Sequence, residues 1–325
     1  MAKLAMVEAI TQAMAYELEH DPSVVVLGED VGVNGGVFRA TNGLQQRFGK
    51  ERVMDTPLAE ALIAGMSIGM AAMGMKPVAE IQFSGFIYPT VDQMINHAGR
   101  LRTRTRGRLH VPMVLRAPSG GGIHAPEHHS ESNEALFAHM PGLRTVMPSS
   151  PSRAYGLLLA SIRDPDPVVF LEPTRLYRMN KQEVEDNGEA LPLDTCFVLR
   201  EGEDVTLVSW GAMLHETLQA AANLAGDGVN CEVIDLATIS PIDFETILES
   251  VGKTGRLVII HEAPKNCGVG AEVAATVAEK VIYSLKAPIE RVTGYDIPMP
   301  LFKLEHDYMP SVERVIKGIR KVLEA

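Results

Sequence analysis

Cysteine is scarce. Cys196, Cys231 and Cys267 are odd in number, widely spaced and free of any CxxC pattern, which argues against a disulfide framework or a zinc knuckle and makes a reducing compartment the expectation. An apolar run of bilayer-spanning length is also missing. The longest uncharged one, residues 61–75, is too short to cross, so membrane insertion is not expected. The first residues, Met1-Ala2-Lys3-Leu4-Ala5-Met6, show no basic region followed by an apolar core and cleavage site, and pass directly into a helical pattern carrying Glu8 and Glu17. The expectation is a mature, cytoplasmic protein. Positive charge is in deficit, with 30 Lys and Arg against 41 Asp and Glu and a formal net charge of −11. That balance argues against a nucleic-acid binder and for a soluble chain able to meet a basic partner surface. No fixed-period repeat or low-complexity segment is present.

What is there describes a globular protein: 46% hydrophobic residues and 22% charged. A length of 325 residues suits two domains better than one core. Helical patterns over 6–19, 59–75 and 90–102 alternate with continuous apolar runs at 23–28, 76–82 and 112–116. Continuous rather than alternating runs are the mark of parallel strands covered on both faces. A second series follows a charged stretch at 180–188, read as a linker. It has strands at 205–210, 230–236 and 256–261, and helices around 215–224, 269–284 and 312–323. The expected fold is α/β, two doubly wound domains over 1–186 and 187–325, the second smaller.

The most informative segment is Asp55-Thr56-Pro57-Leu58-Ala59-Glu60, followed by that apolar run. It predicts a carboxylate at the start of a helix buried on all sides. A buried carboxylate requires a partner or a raised pKa, so Glu60 is the first candidate for chemistry. The alternative is a helix-start acid on the local dipole, with Thr56 as N-cap and Pro57 at the first helical position. Three residues at predicted strand ends have only ordinary readings from the pattern itself: Glu29 follows the run at 23–28, Gln82 ends the run at 76–82, and Phe86 lies just beyond. Taken alone, Glu29 reads as a strand-end acid and Phe86 as core.

The loop from Ser119-Gly120-Gly121-Gly122 through His124, His128 and His129 follows another predicted buried strand. Open α/β sheets place ligands at such edges, and histidines there can move protons near neutral pH. Zinc held by His124 and His128 is an alternative, disfavoured by the intervening Pro126 and the lack of HExxH; a solvated loop is another. Arg100, Arg102, Arg104, Arg106 and Arg108 read as a solvated or interface-facing helix end, and Met66, Met70, Met73 and Met75 with Gly65 and Gly69 as close-packed core or subunit interface.

The run Arg52 to Glu60 with Gly65, Gly69 and Gly74 resembles the start of the second subunit of thiamin-diphosphate-dependent 2-oxoacid dehydrogenases. So does His129-Ser130-Glu131-Ser132-Asn133-Glu134-Ala135-Leu136-Phe137-Ala138-His139-Met140-Pro141-Gly142, with Glu131 where Gln is usual. The resemblance runs from Val24 to Asp296. It implies an aminopyrimidine-binding domain followed by a transketolase C-terminal-like domain. It implies that Glu60 bonds the aminopyrimidine nitrogen and favours the imino tautomer, that Glu29, Gln82 and Phe86 lie at the cofactor, and that His129 serves the substrate and incoming lipoyl group. It further implies a potassium loop over Ser161, Ile162, Asp164 and Asp166, helped by Met113; an Asp-Pro turn is the other reading of that loop.

The partners implied are an alpha subunit in an α2β2 heterotetramer and a lipoyl acyltransferase. Gly226-Asp227-Gly228 imitates the diphosphate and magnesium motif but falls between a predicted helix and strand, where a Gly turn is expected, and has no paired Asn downstream. Diphosphate and Mg2+ are therefore assigned to the alpha subunit. Pyruvate is the expected oxoacid, with branched-chain oxoacids and acetoin open. Two rivals are a mainly structural subunit docking the acyltransferase and a transketolase-type enzyme, which would need the diphosphate domain in the same chain.

Overall fold

The computed structural model describes residues 2–325. By contacts the chain divides into two compact units, one of residues 1–119 and 136–193, the other of 120–135 and 194–325. Each is a twisted α/β layer structure.

In the first unit the strand order is Arg144–Val146, Val168–Pro173, Val114–Ser119, Lys76–Glu80, Val24–Gly28, Val53–Asp55, all parallel. The runs VVVLG, VLRAPS and VVFLEP are buried along their whole length, as expected for central parallel strands with both faces covered. Helices Met6–His20 and Pro151–Arg163 pack on the sheet and on each other. From Val24–Gly28 the chain moves out to Val53–Asp55 on one side, then returns to Lys76–Glu80 on the other. The strand order therefore reverses at Val24–Gly28. The crevice beyond the carboxyl ends of that strand and Lys76–Glu80 is where such sheets bind ligands.

The charged stretch read as a linker is not free chain. Lys181–Val184 pairs antiparallel with Ala2–Ala5, because backbone pairing satisfies the ladder while three of its four side chains stay in solvent.

The second unit has the order Glu290–Gly294, Leu257–Pro264, Val205–Ser209, Cys231–Asp235, Phe197–Arg200. Four strands are parallel, and Phe197–Arg200 is an antiparallel edge. The outer strands are passed over by an apolar-run criterion for different reasons: ERVTG is mostly polar, and FVLR holds a run of only three apolar residues before Arg200. Gly226-Asp227-Gly228 forms the turn after helix Met213–Ala225, with Gly228 at φ +83°. Among the described residues no helix is long and apolar enough to cross a membrane.

Candidate active site

Glu60 is the first residue of helix Glu60–Ala72, whose N-cap is Ala59 with no side-chain cap. Thr56 and Pro57 precede the helix and do not cap it. Contrary to expectation, the helix is not buried on all sides: Ile63, Ala64, Ser67, Ile68 and Ala71 face the core, while Leu62 is 48% exposed. Glu60 itself is half-buried. A Cβ at Gly65 would make only ordinary contact with Gln93, 3.4 Å from its Oε1, and Gly74 at φ +93° follows the helix end.

Glu29 lies directly beyond Val24–Gly28, at the reversal of strand order, and is 7% exposed. The Ala59 backbone, one residue before Glu60, favours its charged form, while its Oε1 is buried with no hydrogen-bond partner. Burial, then the Glu60 charge, then Asp30, raise its pKa from the ordinary glutamate value. The structure thus brings Glu29 and Glu60 together at one sheet edge. Of the two, Glu29 is the more deeply buried.

A raised folded-state pKa stabilises below the unfolded value, and that contribution disappears as pH rises through the folded value. At neutral pH an ionised Glu29 therefore costs stability. Glu29→Gln should raise the thermal midpoint at pH 7 by a few degrees, about 1–3 kcal/mol for an undercompensated buried group. The gain should vanish as the pH is lowered into the carboxylate range. Thermal melts of the two proteins across pH check this; a variant less stable at pH 7 would contradict it.

Strand Lys76–Glu80 ends two residues before Gln82, so Gln82 and Phe86 sit on the segment leaving the carboxyl edge, both half-buried. Phe86 meets Phe83 edge-on at 6.0 Å, and Phe83 meets Phe38 at 5.2 Å. Phe86 is thus neither plain core nor isolated surface.

Sequence reasoning missed the charges beneath this edge. Arg116, 1% exposed, donates to both oxygens of Glu172 at 2.7 and 3.0 Å and to Glu80 Oε2 at 2.8 Å. The Tyr177 hydroxyl donates to Glu172. Burial, offset by Arg116, raises Glu80. The signal was present: KPVAE ends in Glu80, VLRAPS carries Arg116 at mid-strand and VVFLEP carries Glu172 near its end, and adjacent parallel strands bring these residues close. A Cβ at Gly36 would lie 2.8 Å from Glu80 Oε1, so the loop after Glu29 rests on this cluster.

His129 belongs to the second unit, within residues 120–135. Its Nδ1 is 2.8 Å from the Glu127 carbonyl. The three histidines do not converge: His128 lies 4.0 Å from the Glu127 carboxylate, whereas His124 Nε2 is 3.2 Å from His306 Nε2. His124 and His128 have φ of +54° and +67°, left-handed values that tie the loop to one shape.

At the predicted potassium loop, helix Pro151–Arg163 ends. Asp164 pairs with Arg144 and Asp166 with Arg102, each at 3.1 Å. The Met113 carbonyl accepts the Val168 N–H at 3.0 Å.

Residues 2–180 match the family described as Transketolase, pyrimidine binding domain, and residues 194–315 match Transketolase, C-terminal domain. The chain is 50% identical over 325 residues to the pyruvate dehydrogenase E1 component subunit beta of Acholeplasma laidlawii, covering 100% of this chain and 99% of that one. It is 48% identical over 324 residues to the same subunit of Bacillus subtilis (strain 168), covering all of both. Among solved structures, "Split gene transketolase, inactive beta4 tetramer" superimposes with a TM-score of 0.80 at 22% identity, over 99% of each chain, a likeness of fold. A full-length match at half identity, with both domain families in order along the chain, places this chain in the pyruvate dehydrogenase E1 beta-subunit family.

Proposed function

We propose that this chain supplies the aminopyrimidine side of a thiamin diphosphate site completed by an alpha subunit, and that the pair decarboxylates pyruvate and reductively acetylates a lipoyl group on an acyltransferase. The observation that carries the reading is the Glu29–Glu60 pair at the strand reversal, with a buried Glu29 oxygen lacking a partner. A ring bearing nitrogen donors and acceptors, with an aromatic face for Phe86, suits that donor set. When bound, the cofactor supplies the carbanion chemistry of decarboxylation. Glu60 would hold a ring nitrogen and exchange a proton there, Glu29 would tune Glu60 by its charge, and Gln82 and Phe86 would orient the ring.

The diphosphate and its Mg2+ belong to the alpha subunit, since Gly226-Asp227-Gly228 is a plain turn here. The loop at Ser161, Ile162, Asp164 and Asp166 would hold potassium through backbone carbonyls with that of Met113. Its carboxylates are already balanced by Arg102 and Arg144. That suits a monovalent ion on carbonyls better than a divalent one needing carboxylate charge.

His129 would protonate the sulfur that leaves when the lipoyl disulfide is opened. In the chain co-expressed with its alpha subunit, His129→Ala should then depress reductive acetylation of a lipoyl domain about 100-fold, and decarboxylation with an artificial electron acceptor far less. Equal losses would place His129 in the decarboxylation step, and no loss would leave it a solvated loop residue. The same preparation, assayed with pyruvate, a branched-chain oxoacid and acetoin, tests the substrate: pyruvate should be used best.

A further inference from the structure

The Gly120-Gly121-Gly122 run invites a phosphate-cradle reading, but its neighbours are acidic. The Gly121 N–H donates to Glu262 Oε1 at 2.5 Å, and the Ser132 hydroxyl donates to the same oxygen at 2.9 Å. The Gly122 N–H donates to Glu305 Oε1 at 2.7 Å and the His124 N–H to Glu305 Oε2 at 2.9 Å. Both carboxylates are buried, Glu305 at 1% exposure. They occupy the place an anion would take, using the chain's own side chains. The glycines follow from that: a Cβ at Gly120 would lie 2.7 Å from Glu262 Oε1, and one at Gly121 2.6 Å from Met299 Cε. Gly120 and Gly122 also have φ of +83° and +86°. The loop closes where the Gly120 N–H meets the Glu131 carbonyl at 2.9 Å.

We propose that Glu262 and Glu305 are positioning residues for the lipoyl step: the two buried carboxylates clamp the backbone at 121–124 and Ser132, and so fix the loop that presents His129. The proposal rests on the assignment of His129 to that step. Charge-assisted bonds to backbone N–H groups are the strong ones, and Glu305 spans two of them with its two oxygens. A glutamine can accept only one such bond and sets its own NH2 against the other donor. Glu262 lies within strand Leu257–Pro264, two residues before its end, whereas Glu305 opens the one-turn helix Glu305–Tyr308. The loop is therefore fastened to the sheet at one point and to a short surface element at the other.

The test uses the assembled alpha–beta protein with Glu305→Ala and Glu305→Gln. Hydrogen exchange of the segment 120–132 should quicken about tenfold in the alanine variant and by an intermediate factor in the glutamine variant. The kcat/KM for a lipoyl domain should fall several-fold more than that for an artificial acceptor, and combining Glu305→Ala with His129→Ala should add little to His129→Ala alone. Unchanged exchange at 120–132 in either folded variant overturns the clamp. Faster exchange with equal losses in both assays overturns the role in the lipoyl step. A selective lipoyl loss in Glu305→Ala beside none in His129→Ala retains the clamp and rejects the His129 assignment, so the two failures are distinguishable. If the alanine variant does not fold, the glutamine variant alone decides, because it keeps one acceptor.

Discussion

Glu60→Gln, assembled with the alpha subunit, should lose decarboxylation by about 100- to 10,000-fold, the range for removing a group that transfers protons in the rate-determining chemistry. The folded state should barely change. Glu60 is half-buried at a helix start, where loss of its charge removes about 0.3–1 kcal/mol of dipole interaction. Shape and hydrogen-bond reach are kept by the amide; the exchangeable carboxyl proton is not. Turnover with pyruvate and an artificial acceptor, beside a thermal melt, separates the two effects. Near-wild-type turnover would reduce Glu60 to a helix-start acid and favour the structural-subunit rival.

Arg116→Leu should be the most destabilising single change in the first unit. It removes the only cation bonded to Glu80 and Glu172 among the described residues and leaves two buried carboxylates facing each other. Orphaning a buried charge costs about 3–5 kcal/mol. Without the arginine the charge on two buried carboxylates is uncompensated, and protonation on acidification removes that penalty. The deficit against wild type should therefore shrink on acidification, an outcome that simple loss of packing volume would not give. Denaturant unfolding at neutral and mildly acidic pH reads the difference; a pH-independent deficit would contradict the charge account.

The doubly wound plan was legible because its central strands are unbroken apolar runs; VVVLG and VVFLEP leave little else open. Edge strands were not: Glu290–Gly294 is mostly polar, and the apolar run in Phe197–Arg200 is only three residues long and partly exposed. Glu60 was legible as an acid opening an apolar run, although the inference that its helix is wholly buried failed. Leu62 and Met73, at 48% and 85% exposure, show that apolar composition does not say whether the same chain does the covering. Glu29 could be placed at a strand end, but its pairing with Glu60 depends on the intervening excursion to Val53–Asp55, which fixes their approach only in three dimensions. Arg116, Glu80 and Glu172 were recoverable from the charges carried by neighbouring strands. Glu305 was not, for it lies in a surface segment whose sequence carries no periodicity, 181 residues from the His124 amide it accepts.

The proposed thiamin diphosphate site is divided, with the aminopyrimidine side on this chain and the diphosphate side on the alpha subunit. Calorimetric titration of thiamin diphosphate with Mg2+ tests that division. The chain alone should show no tight, magnesium-dependent binding, and the assembled alpha–beta protein one such site per pair, weakened by Glu29→Ala. A single tight, magnesium-dependent site on the isolated chain would contradict it.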